Sequence, residues 1–261
     1  MLKTALIAAI VLGSTSLTFA KEKPANETHE KDLRVATTPD DRLRDRWWRN
    51  RHDEKLDAKK QLLDAGKNVQ LVFVGDSITH GWENSGRQLW EERFAPRGAF
   101  NIGFSGDRTE HVLWRLGVGD AGKENNEIAG LKPKLFVVMI GTNNTGHRKG
   151  APEATAAGIE QIVDRLLEQS PQSKVLLLAV FPRGERADDE LRKINDAVNE
   201  RIAKLGDRDR VEFLDLSDVF LDDDGTLPKS VMPDLLHPNA EGYQLWADAI
   251  EGPIARLLGE K

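Results

Sequence analysis

Five apolar runs punctuate the chain: Leu71–Val74, Ala99–Gly103, Leu135–Ile140, Val175–Val180 and Val211–Asp215. Each has the length of a strand, and most lack the alternation that would leave one polar face. Between them the spacing turns helical. Pro152–Gln169 gathers Ala156, Ile159, Ile162, Val163, Leu166 and Leu167 on one side, and Asp188–Leu205 does the same with Leu191, Ile194, Val198, Ile202 and Leu205. Shorter helices are predicted at Arg87–Phe94, stopped by Pro96 and Gly98, and at Glu110–Leu116, capped by Asp107 or Thr109. A last helix runs from about Asn239 to Leu258, and Asp40–Gly66 reads as one helix or two laid over the domain edge, packing one of Trp47 and Trp48. Gly117–Gly130 reads as a surface loop. Strands without a polar face that alternate with helices require a parallel sheet covered on both sides. With right-handed crossovers the fold class is α/β, a three-layer α/β/α sandwich on a five-stranded parallel sheet.

A chain of 261 residues, 39% of them hydrophobic, buries one sizeable core, and residues 42–261 form one domain. Residues 1–20 stand apart. Lys3, the apolar run Ala5–Val11 and the small-residue pattern Thr18-Phe19-Ala20 make a secretory signal peptide cut after Ala20, too short and interrupted to span a bilayer. Residues 21–41 are polar and charged and are expected to be a disordered leader. The protein is therefore expected to be exported, periplasmic or secreted, with no stable membrane insertion after signal cleavage. A formal charge of −6 without a dense basic stripe argues against nucleic acid as a partner. The absence of cysteine excludes disulfides, thiolate metal sites and a cysteine nucleophile.

Small polar residues collect where the strands end. Gly75-Asp76-Ser77 follows the first run, so Ser77 is either a nucleophile on a rigid support or, with Asp76, a cap for the next helix. A serine hydroxyl needs a base. His237 is one that works near neutral pH, and Asp234, three residues earlier, can fix its tautomer. A tetrahedral intermediate also needs donors, and the N–H groups of Ser77 and Gly106 and the amide of Asn143 are of the right kind. Ile78, Trp82 and Phe104 are candidates to shape an acyl pocket, with core packing as the competing reading. His80 ranks below His237 as the base, His111 reads as structural, and His147 lies either at the cleft mouth or on an exposed loop. Asp107 is expected to brace the Gly106 loop, and Asp222-Asp223-Asp224-Gly225 lacks the later ligands of a calcium loop.

In order along the chain, Gly75-Asp76-Ser77-Ile78, Gly103-x-x-Gly106-Asp107, Gly141-Thr142-Asn143-Asn144 and Asp234-x-x-His237 resemble the four sequence blocks of the SGNH, or GDSL-type, hydrolases, with Ile78 in place of leucine. Their flanks, such as His111-Val112-Leu113-Trp114-Arg115-Leu116, are similar to the catalytic subunits of intracellular platelet-activating factor acetylhydrolase, and the likeness spans roughly Trp47 to Leu258. The resemblance implies a flavodoxin-like sandwich and serine-dependent hydrolysis of carboxylic esters with no metal or cofactor. It assigns Ser77 as nucleophile, His237 as base, Asp234 as its partner, and Ser77, Gly106 and Asn143 as the oxyanion hole. It says less about substrate: exported bacterial relatives often look like esterases of acetylated sugars, and by that context the expected substrate is a small-molecule or glycan ester, losing an acetyl or other short acyl group through an acyl-enzyme. Lysophospholipase or thioesterase action, and a carbohydrate-binding module without catalysis, are the alternatives. The relatives can pair, and nothing in this sequence decides whether the chain forms a homodimer.

Overall fold

The computed structural model describes residues 25–119, 124–148 and 150–260. The signal-peptide segment and the first four residues of the expected leader lie outside the described residues. Strands β1 (Leu71–Gly75), β2 (Ala99–Gly103), β3 (Leu135–Met139), β4 (Lys174–Leu178) and β5 (Val211–Leu214) form one parallel sheet in the order β2-β1-β3-β4-β5. That is the doubly wound flavodoxin-like order, and its direction of winding reverses between β1 and β3.

The helices follow in chain order: α1 (Ala25–Thr37), α2 (Arg46–Asp64), α3 (Ser77–His80), α4 (Arg87–Leu89), α5 (Thr109–Arg115), α6 (Thr142–Arg148), α7 (Pro152–Gln169), α8 (Glu190–Ile202), α9 (Ser217–Phe220) and α10 (Ala240–Leu258). Strand periodicity divides the core in two. Val72, Val74, Phe136, Val138, Val175 and Leu177 point to the face covered by α5, α7 and α8. Leu71, Phe73, Leu135, Val137, Leu176 and Leu178 point to the face covered by α10 and the segment after α3, where Trp82, Phe94 and Trp246 are completely buried. Burial on both faces is why these strands carry no polar stripe.

Three segments depart from expectation. The helix expected over Arg87–Phe94 is instead the short α4 followed by a wider π-helical turn, Trp90–Phe94, which sets the Trp90 and Phe94 rings each 5.1 Å from Phe73. The connection after Gly117 is not a plain surface loop: Glu127 and Ile128 are buried, one in a charge network and the other in the core. The leader is not disordered over its described part. Although α1 is polar in composition, it docks on α7 and α5: Thr109 Oγ1 donates to the Ala36 carbonyl at 2.8 Å and the Ala151 N–H to Asp32 at 3.2 Å. Gly158 on α7 makes the approach possible, since a Cβ there would stand 2.6 Å from the Ala36 oxygen. Long-range hydrogen bonds of this kind leave no trace in local composition, which is what the disordered reading rested on.

Among the described residues no helix is long and apolar enough to cross a membrane. The strand ends that carry Ser77, Gly106 and Asn143 lie on one edge of the sheet, around the reversal point between β1 and β3.

Candidate active site

The cap reading of the Gly75-Asp76-Ser77 turn holds for Asp76. Asp76 caps α3, its side chain accepting from the Ile78 N–H at 3.0 Å, and this places Ser77 at the first helical position directly beyond β1. Ser77 Oγ lies 2.8 Å from His237 Nε2. On the other side of the ring, His237 Nδ1 is 2.6 Å from Asp234 Oδ2. Asp234 Oδ1 meanwhile accepts the backbone N–H groups of Leu236 and His237 at 3.1 and 2.7 Å. Burial works to raise the Asp234 carboxyl, but the hydrogen bonds from His237 outweigh it and hold the group below the usual carboxylate range. An ionised Asp234 accepts from Nδ1–H, which leaves the Nε2 lone pair facing the Ser77 hydroxyl.

The loop that carries this pair is bent through Leu235, a non-glycine residue at φ 59°. Its N–H donates to the Met232 carbonyl, and its carbonyl accepts the Gly184 N–H at 3.0 Å. Asn239 then caps α10 by accepting from the Gly242 N–H. His237 is thus fixed between the end of the β4 loop and the start of a 19-residue helix.

Pairing of β2 with β1 brings the second donor loop alongside, and the Phe104 N–H donates to the Gly75 carbonyl. Gly106 sits at φ 76°, and among the described residues neither its N–H nor that of Ser77 has an intramolecular acceptor. From the start of α6, the Asn143 amide gives one proton to the Asp107 carbonyl at 2.9 Å and keeps a second. Three donors at the ends of the neighbouring strands β1, β2 and β3 are thus left unconsumed by the fold among the described residues.

Asp107, itself fully buried, braces that loop. Its carboxylate accepts from Trp48 Nε1 at 2.7 Å, Arg115 Nε at 2.9 Å and Arg42 at 3.2 Å, and Arg42 also holds the Ser105 carbonyl. Arg115 continues to Glu127, which in turn meets His52 Nδ1 at 2.7 Å. The guanidinium of Arg115 lies 3.9 Å from the centre of the Phe104 ring. From Gly141-Thr142-Asn143-Asn144 the second asparagine ties α5 to α6, its Oδ1 accepting the Thr109 N–H and its Nδ2 donating to Thr109 Oγ1. Sequence reasoning missed Arg42, His52, Arg115, Glu127 and the bracing by Asn144. Only the Asp107 role had a signal, its place directly after Gly106.

The proposed acyl pocket needs correction. Ile78, Trp82 and Phe104 are 0–1% exposed, so they are core and open onto no surface. Ile78 and Trp82 pack in the α10 layer, and Phe104 packs against Trp48, which also meets Trp114. His80 bonds through Nδ1 to Ser105 Oγ at 2.9 Å, and burial together with Arg51 lowers it to about 4, so it is neutral near pH 7 and turned away from Ser77. His111 is structural, accepting the Arg108 N–H, and His147 is exposed.

Residues 73–245 match the GDSL-like Lipase/Acylhydrolase family model. The chain is also 37% identical over 216 residues to the human (Homo sapiens) platelet-activating factor acetylhydrolase IB subunit alpha1, covering 82% of this chain and 85% of that protein. It belongs to the GDSL-like lipase/acylhydrolase family. The GDSL-like lipase of Bacteroides thetaiotaomicron shares the fold at a TM-score of 0.58 and 23% identity, over 72% of this chain and 88% of that one. The acetylxylan esterase Axe2 of Geobacillus stearothermophilus does so at 0.55 and 18%, over 74% and 94%. As a GDSL-family acylhydrolase the chain is a carboxylic ester hydrolase. All four sequence blocks fall inside the matched residues.

Proposed function

We propose that this esterase removes short acyl groups, acetyl above all, from a sugar or other alcohol through an acyl-enzyme on Ser77. The observation that carries the proposal is the continuous line from Ser77 Oγ to His237 Nε2 at 2.8 Å and from His237 Nδ1 to Asp234 at 2.6 Å. As Ser77 Oγ bonds to the ester carbonyl carbon, its proton passes to Nε2, and Asp234 stabilises the imidazolium. The carbonyl oxygen becomes an oxyanion facing the N–H groups of Ser77 and Gly106 and the free amide proton of Asn143. Collapse breaks the bond to the alcohol, which leaves with the proton from Nε2. Water then repeats the sequence, releasing the acid and restoring Ser77.

A short acyl group is favoured because the apolar residues next to the nucleophile, Ile78 and Trp82, are sealed in the core and leave no acyl channel there. The name of the human relative, an acetylhydrolase, points the same way. The pattern Lys3 to Ala20 supports export to the periplasm or medium.

Ser77→Ala is expected to lower kcat on p-nitrophenyl acetate by roughly 10⁴-fold or more while leaving the thermal transition in place. Turnover near that of the unaltered protein would refute the assignment. In a series of acyl p-nitrophenyl esters, kcat/KM should fall steeply beyond propionate. A maximum at octanoate would favour a lipid hydrolase instead.

A further inference from the structure

Arg183 follows β4, on the same sheet edge as Ser77, and feels the charges of Asp76 and Asp234, one beside Ser77 and the other paired with His237. Its Nη1 donates to the carbonyl and to the hydroxyl of Thr142, at 3.0 and 3.2 Å, directly before Asn143. Its backbone is clamped from behind by Arg192, whose Nε donates to the Arg183 carbonyl and whose Nη2 donates to that of Gly184. The Gly184 N–H is bonded to Leu235, inside the loop that carries Asp234 and His237. Gly146 leaves room for the guanidinium, since a Cβ there would lie 2.2 Å from Nη1. Arg183 therefore bridges the element that presents Asn143 and the loop that presents His237.

What distinguishes it is the charge balance. Three other arginines around this edge are ion-paired, Arg42 with Asp45 and Asp107, and Arg108 and Arg148 with Glu110, while Arg192 spends its guanidinium on the carbonyls of Arg183, Gly184 and Gly225. Among the described residues no carboxylate comes within ion-pair distance of Arg183, although it is half-buried in a chain of net charge −6. Of the acids nearest to it electrostatically, Asp76 is sealed in the core and Asp234 is engaged three times by the His237 loop. The edge formed by Nε and Nη2, the one that matches a two-oxygen anion, makes no hydrogen bond among the described residues. A half-buried cation held in place on one side and unpaired on the other is a recognition group awaiting an anion.

We propose that Arg183 is a specificity-determining residue that binds an anionic group, a carboxylate or phosphate, on the alcohol portion of the ester. The natural substrates would then be acylated acids, such as acetylated acidic sugars, in preference to neutral acylated alcohols. This inference rests on the esterase reading above and narrows its substrate class.

The test compares 4-acetoxybenzoate and 4-acetoxyphenyl phosphate with the neutral 4-acetoxybenzamide, which share the acetyl group and differ in charge on the alcohol side. The quantity read is the ratio of kcat/KM for each anion to that for the amide, in the unaltered protein and in Arg183→Gln and Arg183→Lys. The unaltered protein should favour at least one anion, and Arg183→Gln should cut that ratio by about 10- to 100-fold, as loss of charge-assisted hydrogen bonds does. Arg183→Lys, which keeps the charge and loses the fork, should fall between. Whichever anion shows the larger loss identifies the chemistry bound. A residue that merely braces Thr142 would lower all three substrates together, so an unchanged ratio in both variants overturns the proposal. If the unaltered protein hydrolyses p-nitrophenyl acetate but shows no anion preference, recognition by Arg183 fails and the esterase reading stands. If it hydrolyses no ester, the esterase reading itself fails.

Discussion

Asp76 shows how one residue can serve the site at a cost to the fold. It caps α3 through one carboxyl oxygen, but it is completely buried and its Oδ2 has no partner. Burial, with Asp107 adding to it, pushes its carboxyl up to about 7, against the Ile78 N–H and Arg183, which pull it down. A carboxyl raised in the folded state keeps its proton between roughly pH 4 and 7 while the unfolded chain has already lost it. The folded form then binds more protons, and stability falls as pH rises through that window. Asp76→Asn keeps the accepting oxygen and cannot ionise. Its stability in urea should equal or trail the unaltered protein near pH 4, gain on it up to about pH 7 by on the order of 3–4 kcal/mol, and hold that gain above. A constant difference across the range would mean that Asp76 ionises normally. At this scale the polar residues were legible in the sequence and their apolar neighbours were not. Ser77, Asp234 and His237 announce themselves by residue type and spacing, and the structure brings them within hydrogen-bond reach. Ile78, Trp82 and Phe104 were placed in the pocket by adjacency in sequence. Adjacency does not set direction: on leaving the strand, Ile78 and Trp82 turn into the α10 layer and Phe104 towards Trp48.

Among the elements, strands and long helices could be read closely, because burial on both faces or on one stripe leaves a periodic trace. β2, for example, spans the run Ala99–Gly103 without change. What could not be read is how elements hold one another by polar contacts. α1 is mostly polar and is tied by carbonyl and carboxylate bonds to α5 and the start of α7, none of which a window of sequence contains. The buried chain His52–Glu127–Arg115–Asp107 is the larger case, joining α2, α5 and the loop after it to the Gly106 turn. Removing its central cation should be severe, since both Asp107 and Glu127 are fully enclosed. Arg115→Met is expected to cost about 3–5 kcal/mol in urea unfolding. If the Gly106 N–H stabilises the oxyanion as proposed, the substitution should also depress kcat on p-nitrophenyl acetate more than it raises KM, because such a donor acts on the transition state. A loss below about 1 kcal/mol would show that the network contributes little beyond packing.

For the molecule as a whole, the order β2-β1-β3-β4-β5 does the assembling. It puts the loops after β1, β2 and β3 side by side at the point where the winding reverses, and the loop after β4 and the entry to α10 close the same edge. Residues from 77 to 237 thereby meet around one hydroxyl, on a layer of fully buried core. Hydrolysis through an acyl-enzyme requires that this hydroxyl carry the acyl group. The direct measurement is rapid quenching of the protein with p-nitrophenyl acetate in the pre-steady state, followed by peptide mapping by mass spectrometry. The expected result is a burst of nitrophenol approaching one equivalent per chain, with an acetyl mass on the peptide at Ser77 and none in Ser77→Ala. An acetyl group on another residue, or turnover without any acylated Ser77, would contradict it.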